Sequence, residues 1–240
     1  MKKILIVNDD GIDSEGIIRL ADIARHFGTV YVVAPDHQCS GMSQKISIFD
    51  KILVRNVDFP VSVEGAWSVG GTPADCVKTA VNSLLSTPPD YVFSGINNGF
   101  NTGFDTVYSG TVGAAMEARM KGIPSAAFSN RFSGVFDTAE HYLPLLIEEI
   151  FSLSLLPCEV WNINFPGITL GECRGVQYGC TVAPFQLYED HYIRDNLSTD
   201  SFTLRNASVP LTHNMAPEGS DVSAVLSDYI SVGKLRCPVL

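Results

Sequence analysis

The stretch Lys3-Ile4-Leu5-Ile6-Val7-Asn8-Asp9-Asp10-Gly11 begins as an apolar run and ends in a polar turn. A continuous apolar run is typical of a strand that is buried on both faces of a parallel sheet. Two adjacent carboxylates follow at the carboxyl end of this strand, which is the edge where open α/β sheets bind ligands. This stretch predicts both the fold class and the position of a site.

Helical and strand-like patterns alternate after this first strand. Apolar residues recur at helical spacing over residues 17–27, Gly28 ends that helix, and Thr29–Ala34 predicts the next strand. The later segments are strand-like stretches near Ile46–Val54 and Val61–Val69, a helix over Val77–Leu85, a strand at Tyr91–Phe93, a helix from Gly110, a strand at Ser125–Ser129 and a helix over Ala139–Phe151. The pattern predicts a doubly wound, Rossmann-like and mostly parallel sheet.

The pattern changes after Pro157. Val160–Phe165 still predicts a strand, but Gly175–Val182 and Tyr229–Val232 are short β-like segments joined by polar loops, with no helix between them. We expect one α/β domain over residues 1–240, with a core at 1–157 that carries the site and a β-rich extension at 158–240.

Composition excludes several classes of partner. The net charge of −10 argues against binding a nucleic-acid polymer, because contact with a phosphate backbone normally needs a basic face. The apolar run Ile4–Val7 is too short for a signal peptide or a membrane span, so we expect a cytoplasmic protein without a membrane partner. The six cysteines include no C-x-x-C pair and are interpreted as reduced thiols.

Oxygen-bearing side chains follow three of the predicted strands. Asp9 and Asp10 follow the first strand, Ser40 lies in the loop after Thr29–Ala34, and Asn97 lies in the loop after Tyr91–Phe93. Two carboxylates, a hydroxyl and an amide oxygen form a hard ligand set that suits Mg²⁺, Mn²⁺ or Ca²⁺. The alternative is structural: Asp10 or Asp13 caps the following helix while Asp9 faces water, and Ser40 and Asn97 are turn residues.

A fourth element, Tyr108-Ser109-Gly110-Thr111, comes where a helix of small residues starts. The N–H groups and the dipole at a helix N-terminus attract a phosphate, and the Ser109 hydroxyl can add a hydrogen bond. The alternative is a plain serine N-cap, with Gly110 present for tight packing. The chain contains no P-loop, no G-x-G-x-x-G after the first strand and no G-x-S-x-G elbow, so three common enzyme classes lack their usual motif.

Five motifs follow one another along the chain: Asn8-Asp9-Asp10-Gly11, Ala34-Pro35-Asp36 with Ser40-Gly41, Gly71-Thr72-Pro73-Ala74-Asp75-Cys76-Val77, Ser94-Gly95-Ile96-Asn97 and Tyr108-Ser109-Gly110-Thr111-Val112. Together they resemble the SurE (survival protein) family. The resemblance implies a 5′/3′-nucleotidase that depends on a divalent metal, acts on nucleoside monophosphates and sometimes cleaves short polyphosphate. It also implies a homodimer or homotetramer.

The resemblance assigns roles to individual residues. It implies that Asp9, Asp10, Ser40 and Asn97 hold one divalent ion per subunit, Mg²⁺ or Mn²⁺ or similar. Asn101 and Ser109 resemble the phosphate and catalytic contacts, and we expect Asn97, Gly110 and Thr111 to complete the phosphate site. Asp9 is the nearest base for the attacking water. Phe100 departs from the family pattern, which commonly has proline there.

Two other functions remain as alternatives. A haloacid-dehalogenase-type phosphatase would form a phospho-aspartate, although its D-x-D-x-[TV] motif is missing after the first strand. A nucleotide-binding sensor would use the same edge of the sheet without turnover. For assembly we expect at least a dimer, because apolar residues after Gly175 need a covering surface; they are Phe185, Leu187, Tyr188, Tyr192 and Ile193. The alternative is that this excursion folds back on its own core.

Overall fold

A computed structural model describes residues 1–198, 200–207, 209–210 and 216–237. The strands are β1 (Lys2–Val7), β2 (Gly28–Pro35), β3 (Val54–Asn56), β4 (Gly65–Val69), β5 (Tyr91–Asn98), β6 (Ser125–Asn130), β7 (Glu159–Phe165), β8 (Val176–Cys180), β9 (Tyr188–Glu189), β10 (Tyr192–Asn196), β11 (Phe202–Asn206), β12 (Val209–Pro210) and β13 (Ile230–Arg236). The helices are α1 (Glu15–Ala24), α2 (Pro73–Thr79), α3 (Gly110–Met120), α4 (Asp137–Ser152) and α5 (Asp221–Leu226). A π-helical turn (Ala80–Leu84) extends α2, and a 3₁₀ turn (Phe104–Val107) precedes α3.

Nine strands form one sheet in the order β3-β4-β2-β1-β5-β6-β7-β13-β8. Strand β1 pairs in parallel with β2 on one side and with β5 on the other. The chain therefore changes direction across the sheet at β1, which makes its carboxyl end the topological switch point. The polar turn after Val7 lies at this point, so the fold places Asp9 and Asp10 where ligands usually bind in such sheets.

Helices cover both faces of the sheet. One apolar cluster joins α1 and α4 to one face, and a second joins α2 and α3 to the other. The residues Ile4–Val7 are fully buried between these layers, which explains their unbroken apolar pattern. The predicted fold class is confirmed: a mostly parallel sheet with helices on both faces and additional strands near the C-terminal end.

The predicted strand near Ile46–Val54 is wrong, because β3 begins only at Val54 and pairs with β4 over three residues. The apolar side chains that suggested a longer strand, Ile48 and Phe49, are exposed. The next strand also begins later than predicted, at Gly65 instead of Val61. Apolar alternation cannot form a strand where no neighbouring strand supplies the hydrogen bonds, and β3 lies at the edge of the sheet.

The prediction of no helix in the C-terminal part is wrong, because α5 lies between β8 and β13. Ser220 caps this helix, and it has only six residues, so its sequence is too short to show helical periodicity. Strand β7 pairs with β6, and β13 and β8 continue the same sheet. The division into a core at 1–157 and an extension at 158–240 stays a prediction, and residues 199, 208, 211–215 and 238–240 of that extension lie outside the described residues. No helix of the described part is long and apolar enough to cross a bilayer.

Candidate active site

The two carboxylates after β1 are both held by backbone donors from other segments. Asp9 is 3% exposed, and its two oxygens accept the hydroxyl of Thr111 at 2.5 Å and the Thr111 N–H at 3.2 Å. Asp10 accepts the N–H of Asn98 at 2.9 Å. The structural alternative for this pair does not hold, because Ser14 is the N-cap of α1 and Asp9 does not face water.

Both carboxylates lie in surroundings that disfavour their charged form. Burial raises the pKa of Asp9 to about 6; the Thr111 hydroxyl opposes this shift and the charge of Asp10 adds to it. Burial also raises the pKa of Asp10, and the hydrogen bonds from Asn98 and Gln38 oppose this rise. Among the described residues, no lysine, arginine or histidine lies within ion-pair distance of either carboxylate. Two adjacent, partly desolvated carboxylates fit a bound cation, which would relieve this cost.

The loop after β2 brings Ser40 next to this pair. The N–H of Cys39 donates to the main-chain oxygen of Asp9 at 2.7 Å, which fixes the loop against the end of β1. The exposed Ser40 hydroxyl accepts the Gln38 amide at 3.1 Å, and the side chain of Gln38 also donates to Asp10. One glutamine therefore links the Ser40 hydroxyl to the Asp10 carboxylate.

The carboxyl end of β5 contributes an amide oxygen. The prediction that Asn97 lies in a loop after Tyr91–Phe93 is wrong, because pairing with β6 extends the strand to Asn98. The side-chain nitrogen of Asn97 donates to the carbonyl oxygen of Gly99 at 2.8 Å. This bond uses the nitrogen of the carboxamide and leaves its oxygen for another partner. Because the next residue, Asn98, donates its N–H to Asp10, Asn97 lies directly beside the carboxylate pair. No three His, Cys, Asp or Glu side chains of the described residues gather as a metal site, so neutral oxygens such as those of Ser40 and Asn97 would have to complete one here.

Helix α3 begins against Asp9. Ser109 is the N-cap, and its hydroxyl oxygen accepts the Val112 N–H at 3.0 Å, which leaves the hydroxyl proton to donate elsewhere. A Cβ at Gly110 would lie 2.9 Å from the Asp9 Cβ and 3.2 Å from the Cys39 carbonyl oxygen, so only glycine lets the helix approach this closely. Ser109 is therefore the N-cap that the structural alternative predicted. The same geometry also brings the N-terminus of α3 to the carboxylates.

The polar groups of Thr111 and Asn101 are hydrogen-bonded to other residues near the carboxylates. The buried Thr111 uses both its hydroxyl and its N–H on Asp9, so in this structure it positions that carboxylate. Asn101 faces β6 and β7: its side-chain nitrogen donates to Ser129 at 2.8 Å, and its N–H donates to Asn164 at 2.8 Å. The Asn101 side chain therefore reaches Ser129, which pairs with Asn97 across β5 and β6.

Sequence reasoning missed the residues that hold Asn101. The carbonyl oxygen of Asn101 accepts the side-chain nitrogens of Asn162 at 2.9 Å and Asn164 at 3.1 Å. Both amides belong to β7 and are buried. Two asparagines at alternate positions of a buried strand are a signal that the sequence contains, because a buried amide needs a hydrogen-bonding partner.

Two further acids, also missed, fasten the loop after β5 to the C-terminal part of the chain. Asp221 accepts the N–H groups of Gly103 and Ala183, both at 2.9 Å. Asp105 accepts the N–H of Leu187 at 2.7 Å. Phe100 is buried in a small apolar cluster with Ala183, Leu187, Val222 and Val225. The large side chain at position 100 therefore anchors the loop to this cluster.

The comparisons with known proteins agree on one family. A family model described as Survival protein SurE matches residues 4–186. The protein 5'-nucleotidase SurE 1 from Chlamydia caviae is 36% identical over 237 residues, which cover 96% of this chain and 84% of that protein. The crystal structure of the SurE protein from Aquifex aeolicus aligns with a TM-score of 0.84 at 32% identity, covering 99% of this chain and 94% of that one. This chain belongs to the SurE family.

Proposed function

We propose that this protein is a divalent-metal-dependent phosphomonoesterase that hydrolyses nucleoside 5′- and 3′-monophosphates to nucleoside and phosphate, with short polyphosphate as a further substrate. The observation that carries the proposal is the adjacent pair of the buried Asp9 and the partly buried Asp10, of which Asp9 lies against the N-terminus of α3. The pair lacks a cationic side-chain partner among the described residues. The relative from Chlamydia caviae, named a 5'-nucleotidase, supports the same activity.

One divalent ion per subunit, Mg²⁺ or Mn²⁺, would be held by Asp9, Asp10, Ser40 and Asn97. The hard oxygen character of all four side chains supports this assignment, as do the hydrogen bonds that link the three loops. When bound, such an ion polarises a phosphoryl oxygen and acidifies a water molecule.

The remaining residues of the site bind and orient the phosphate. The dipole of α3 supplies partial positive charge at Gly110, and the Ser109 hydroxyl has a proton to donate to a phosphoryl oxygen. Asn97 at the end of β5 and Asn101 in the loop that follows it complete the proposed phosphate contacts. As negative charge builds on the equatorial oxygens during transfer, these fixed donors stabilise it without needing to reorganise.

Asp9 is the proposed acceptor of the proton from the attacking water. Thr111 supports this role by holding both oxygens of the carboxylate in place. A fixed carboxylate loses little orientational freedom on reaching the transition state, which is the advantage of a preorganised site. Thr111 contributes to substrate binding through this positioning of Asp9.

The setting of the enzyme is part of the same proposal. The six cysteines are free, which supports a reducing compartment such as the cytoplasm. The net charge of −10 supports small nucleotides instead of a nucleic-acid polymer as substrates. We propose a homodimer or homotetramer as the working form.

A phosphate-release assay with a nucleoside monophosphate tests the proposal. The protein with Mn²⁺ should release phosphate, a chelator should abolish the release, and added Mn²⁺ should restore it. Mn²⁺ should also raise the Tm, because a ligand at 100 times its Kd stabilises the folded state by about 2.7 kcal/mol. Full activity in metal-free protein would refute the metal model, a trapped phospho-aspartate would favour the dehalogenase-type mechanism, and nucleotide binding without turnover would favour a sensor.

A further inference from the structure

Two side chains of β7 hold the main chain of Asn101. The Asn164 carboxamide accepts the Asn101 N–H at 2.8 Å and donates to the Asn101 carbonyl oxygen at 3.1 Å. The Asn162 carboxamide donates to the same carbonyl oxygen at 2.9 Å. Asn164 therefore satisfies both main-chain polar groups of residue 101, as a neighbouring strand would, although residue 101 lies in a loop.

The side chain of Asn101 is held as well. Its carboxamide nitrogen donates to the Ser129 hydroxyl at 2.8 Å, and this nitrogen carries a second hydrogen that the bond does not use. Ser129 lies on β6, where it pairs with Asn97 of β5 on one side and with Asn164 of β7 on the other. The second hydrogen of the Asn101 amide is the one that is left for a phosphoryl oxygen.

Burial keeps this arrangement fixed. Ser129 and Asn164 are fully buried, and Asn101 and Asn162 are each less than a tenth exposed. A buried polar group that loses its partner has no water to replace it, so each of these hydrogen bonds is costly to break. The position of Asn101 is therefore set by β6 and β7, and it has far less freedom than a residue of an exposed loop.

Asparagine is an unusual choice at these two positions of a buried strand. Asn162 and Asn164 alternate along β7 with Trp161 and Ile163, which pack in the large apolar cluster on the other face of the sheet. Asparagine is depleted in strands, and a buried carboxamide stabilises the fold less than an apolar side chain would. This face of β7 is thus specialised for binding the main chain of the loop instead of for packing.

We propose that Asn162, Asn164 and Ser129 are positioning residues of the phosphate site, which act on turnover through the place and orientation of the Asn101 amide. The proposal rests on the phosphomonoesterase function above and on the role assigned there to Asn101. A donor stabilises the transition state only where it is already in place, and a misplacement of about 1 Å can lower a rate about 10²-fold. The alternative is that the two asparagines only satisfy the buried main chain of the loop.

The first test measures kcat and KM for phosphate release from a nucleoside monophosphate with Mn²⁺. Asn164→Ala removes two of the bonds to residue 101 and should lower kcat about 10²-fold with little change in KM, because the affected contact is made in the transition state. Asn162→Ala and Ser129→Ala each remove one bond and should lower kcat about tenfold. Wild-type kcat in all three variants would refute the positioning role.

Asn130→Ala is the matched control. Asn130 is also a fully buried asparagine of a central strand, and its carboxamide donates to the carbonyl oxygens of Arg131 and Val135 in the loop after β6. Denaturant unfolding should show a loss of stability for Asn130→Ala comparable to that for Asn164→Ala, while kcat stays at the wild-type value. An equal fall of kcat in the control would show that the loss follows from stability and would refute the proposal.

A double-mutant cycle separates positioning from a structural role. If Asn164 acts through the Asn101 amide, adding Asn164→Ala to Asn101→Ala should cause no further loss of kcat. A structural role would lower kcat by the same factor in both backgrounds, and that result would refute the proposal. Wild-type kcat in Asn101→Ala would also refute it, while the phosphomonoesterase function would stand.

Two further outcomes are decided by Ser129→Ala, which removes only one hydroxyl. If circular dichroism shows that Asn164→Ala does not fold, the same cycle is run with Ser129→Ala. If the wild type releases no phosphate, the proposed function fails and calorimetric titration with Mn²⁺ present decides the positioning. Vanadate, which adopts the five-coordinate geometry of a phosphoryl group in transfer, should then bind about tenfold more weakly to Ser129→Ala, with the affinity for inorganic phosphate unchanged. Equal vanadate affinity in the two proteins would refute the positioning role.

Discussion

The edge of the sheet around Asp9 and the hairpin β10–β11 both differ from an ordinary protein surface, in opposite ways. At the sheet edge, polar groups are buried: Asp9, Asn101 and Ser109 are each less than a tenth exposed. On the hairpin, apolar groups are exposed instead. Burying charge is costly unless something compensates it, and exposed apolar area is unfavourable unless something covers it. The first region therefore indicates a ligand and the second indicates a partner surface.

The register of the hairpin places three of its exposed apolar side chains on one face. Arg194 pairs with Leu204, and Tyr192 pairs with Asn206, so Tyr192, Phe202 and Leu204 project from the same side. Their side chains are 56%, 47% and 54% exposed. We call these three residues the hairpin face. A two-stranded ribbon is marginally stable alone in water, which supports the expectation of a second subunit as its cover.

The excursion after Gly175 divides into two parts. Leu187 is buried, and Phe185 and Tyr188 pack beside it on the cluster around Phe100. This part therefore folds back on its own core, which was the alternative to dimerisation. Tyr192 and Ile193 are exposed and are thus accessible to a second subunit. The assembly itself stays a prediction.

The largest effect is expected for Asp9→Asn, which should lower kcat/KM by several orders of magnitude. The change removes a charge from the proposed ion site and the proposed proton acceptor while keeping the size of the side chain. Asp13→Asn is the matched control, since Asp13 is an exposed carboxylate in the same turn. Phosphate release at saturating Mn²⁺ gives the rates, and circular dichroism should show the fold intact in both variants. Near-wild-type turnover in Asp9→Asn would remove the pair Asp9 and Asp10 from the mechanism.

A smaller effect is expected for Ser109→Ala, with a loss of about 10²–10³ in kcat, which is typical when one donor to the transition state is removed. Asn101→Ala should act in the same direction. Ser109 is also an N-cap, so its loss should cost about 1 kcal/mol of stability.

Ser220→Ala separates these two roles of Ser109. Ser220 caps α5 with the same bond, accepting the Ser223 N–H at 3.2 Å, but it lies in a different helix. Denaturant unfolding should show similar losses for the two serine variants, and only Ser109→Ala should lose turnover. Equal kcat in both variants would leave Ser109 as a cap and nothing more.

The smallest effect on turnover is expected at the hairpin face. Leu204→Asp places a charge on this face and should lower the molar mass in solution towards that of the 26.0 kDa chain. Thr203→Asp is the control, because residue 203 projects from the opposite side of β11. Light scattering at low micromolar concentration measures the mass. A wild-type protein that is already a fully active 26.0 kDa monomer would contradict the assembly proposal.

The sequence predicted the buried strands of the sheet correctly but failed for one exposed segment and one short helix. The strands β1, β2, β5 and β6 were predictable, because each is a short apolar run that is buried on both faces. The segment 46–53 and helix α5 were not. An apolar run has the sequence pattern of a strand even where no neighbouring strand pairs with it, as at residues 46–53. A helix of one or two turns, such as α5, is too short to show helical periodicity.

By itself the sequence determined which residues end up at one edge of the sheet, because parallel strands that alternate with helices bring all their carboxyl ends together. It thereby brought Asp9, Ser40, Asn97 and Ser109 to the same region. Only the tertiary structure decided what surrounds them. The hydrogen bond from Asn98 to Asp10, the amides of β7 that hold Asn101 and the contact of Arg131 with the Phe100 ring depend on segments far apart in the chain. Such contacts are set by the packing of the whole fold. A local pattern, such as the two asparagines of β7, indicates that a partner is needed but does not identify the partner.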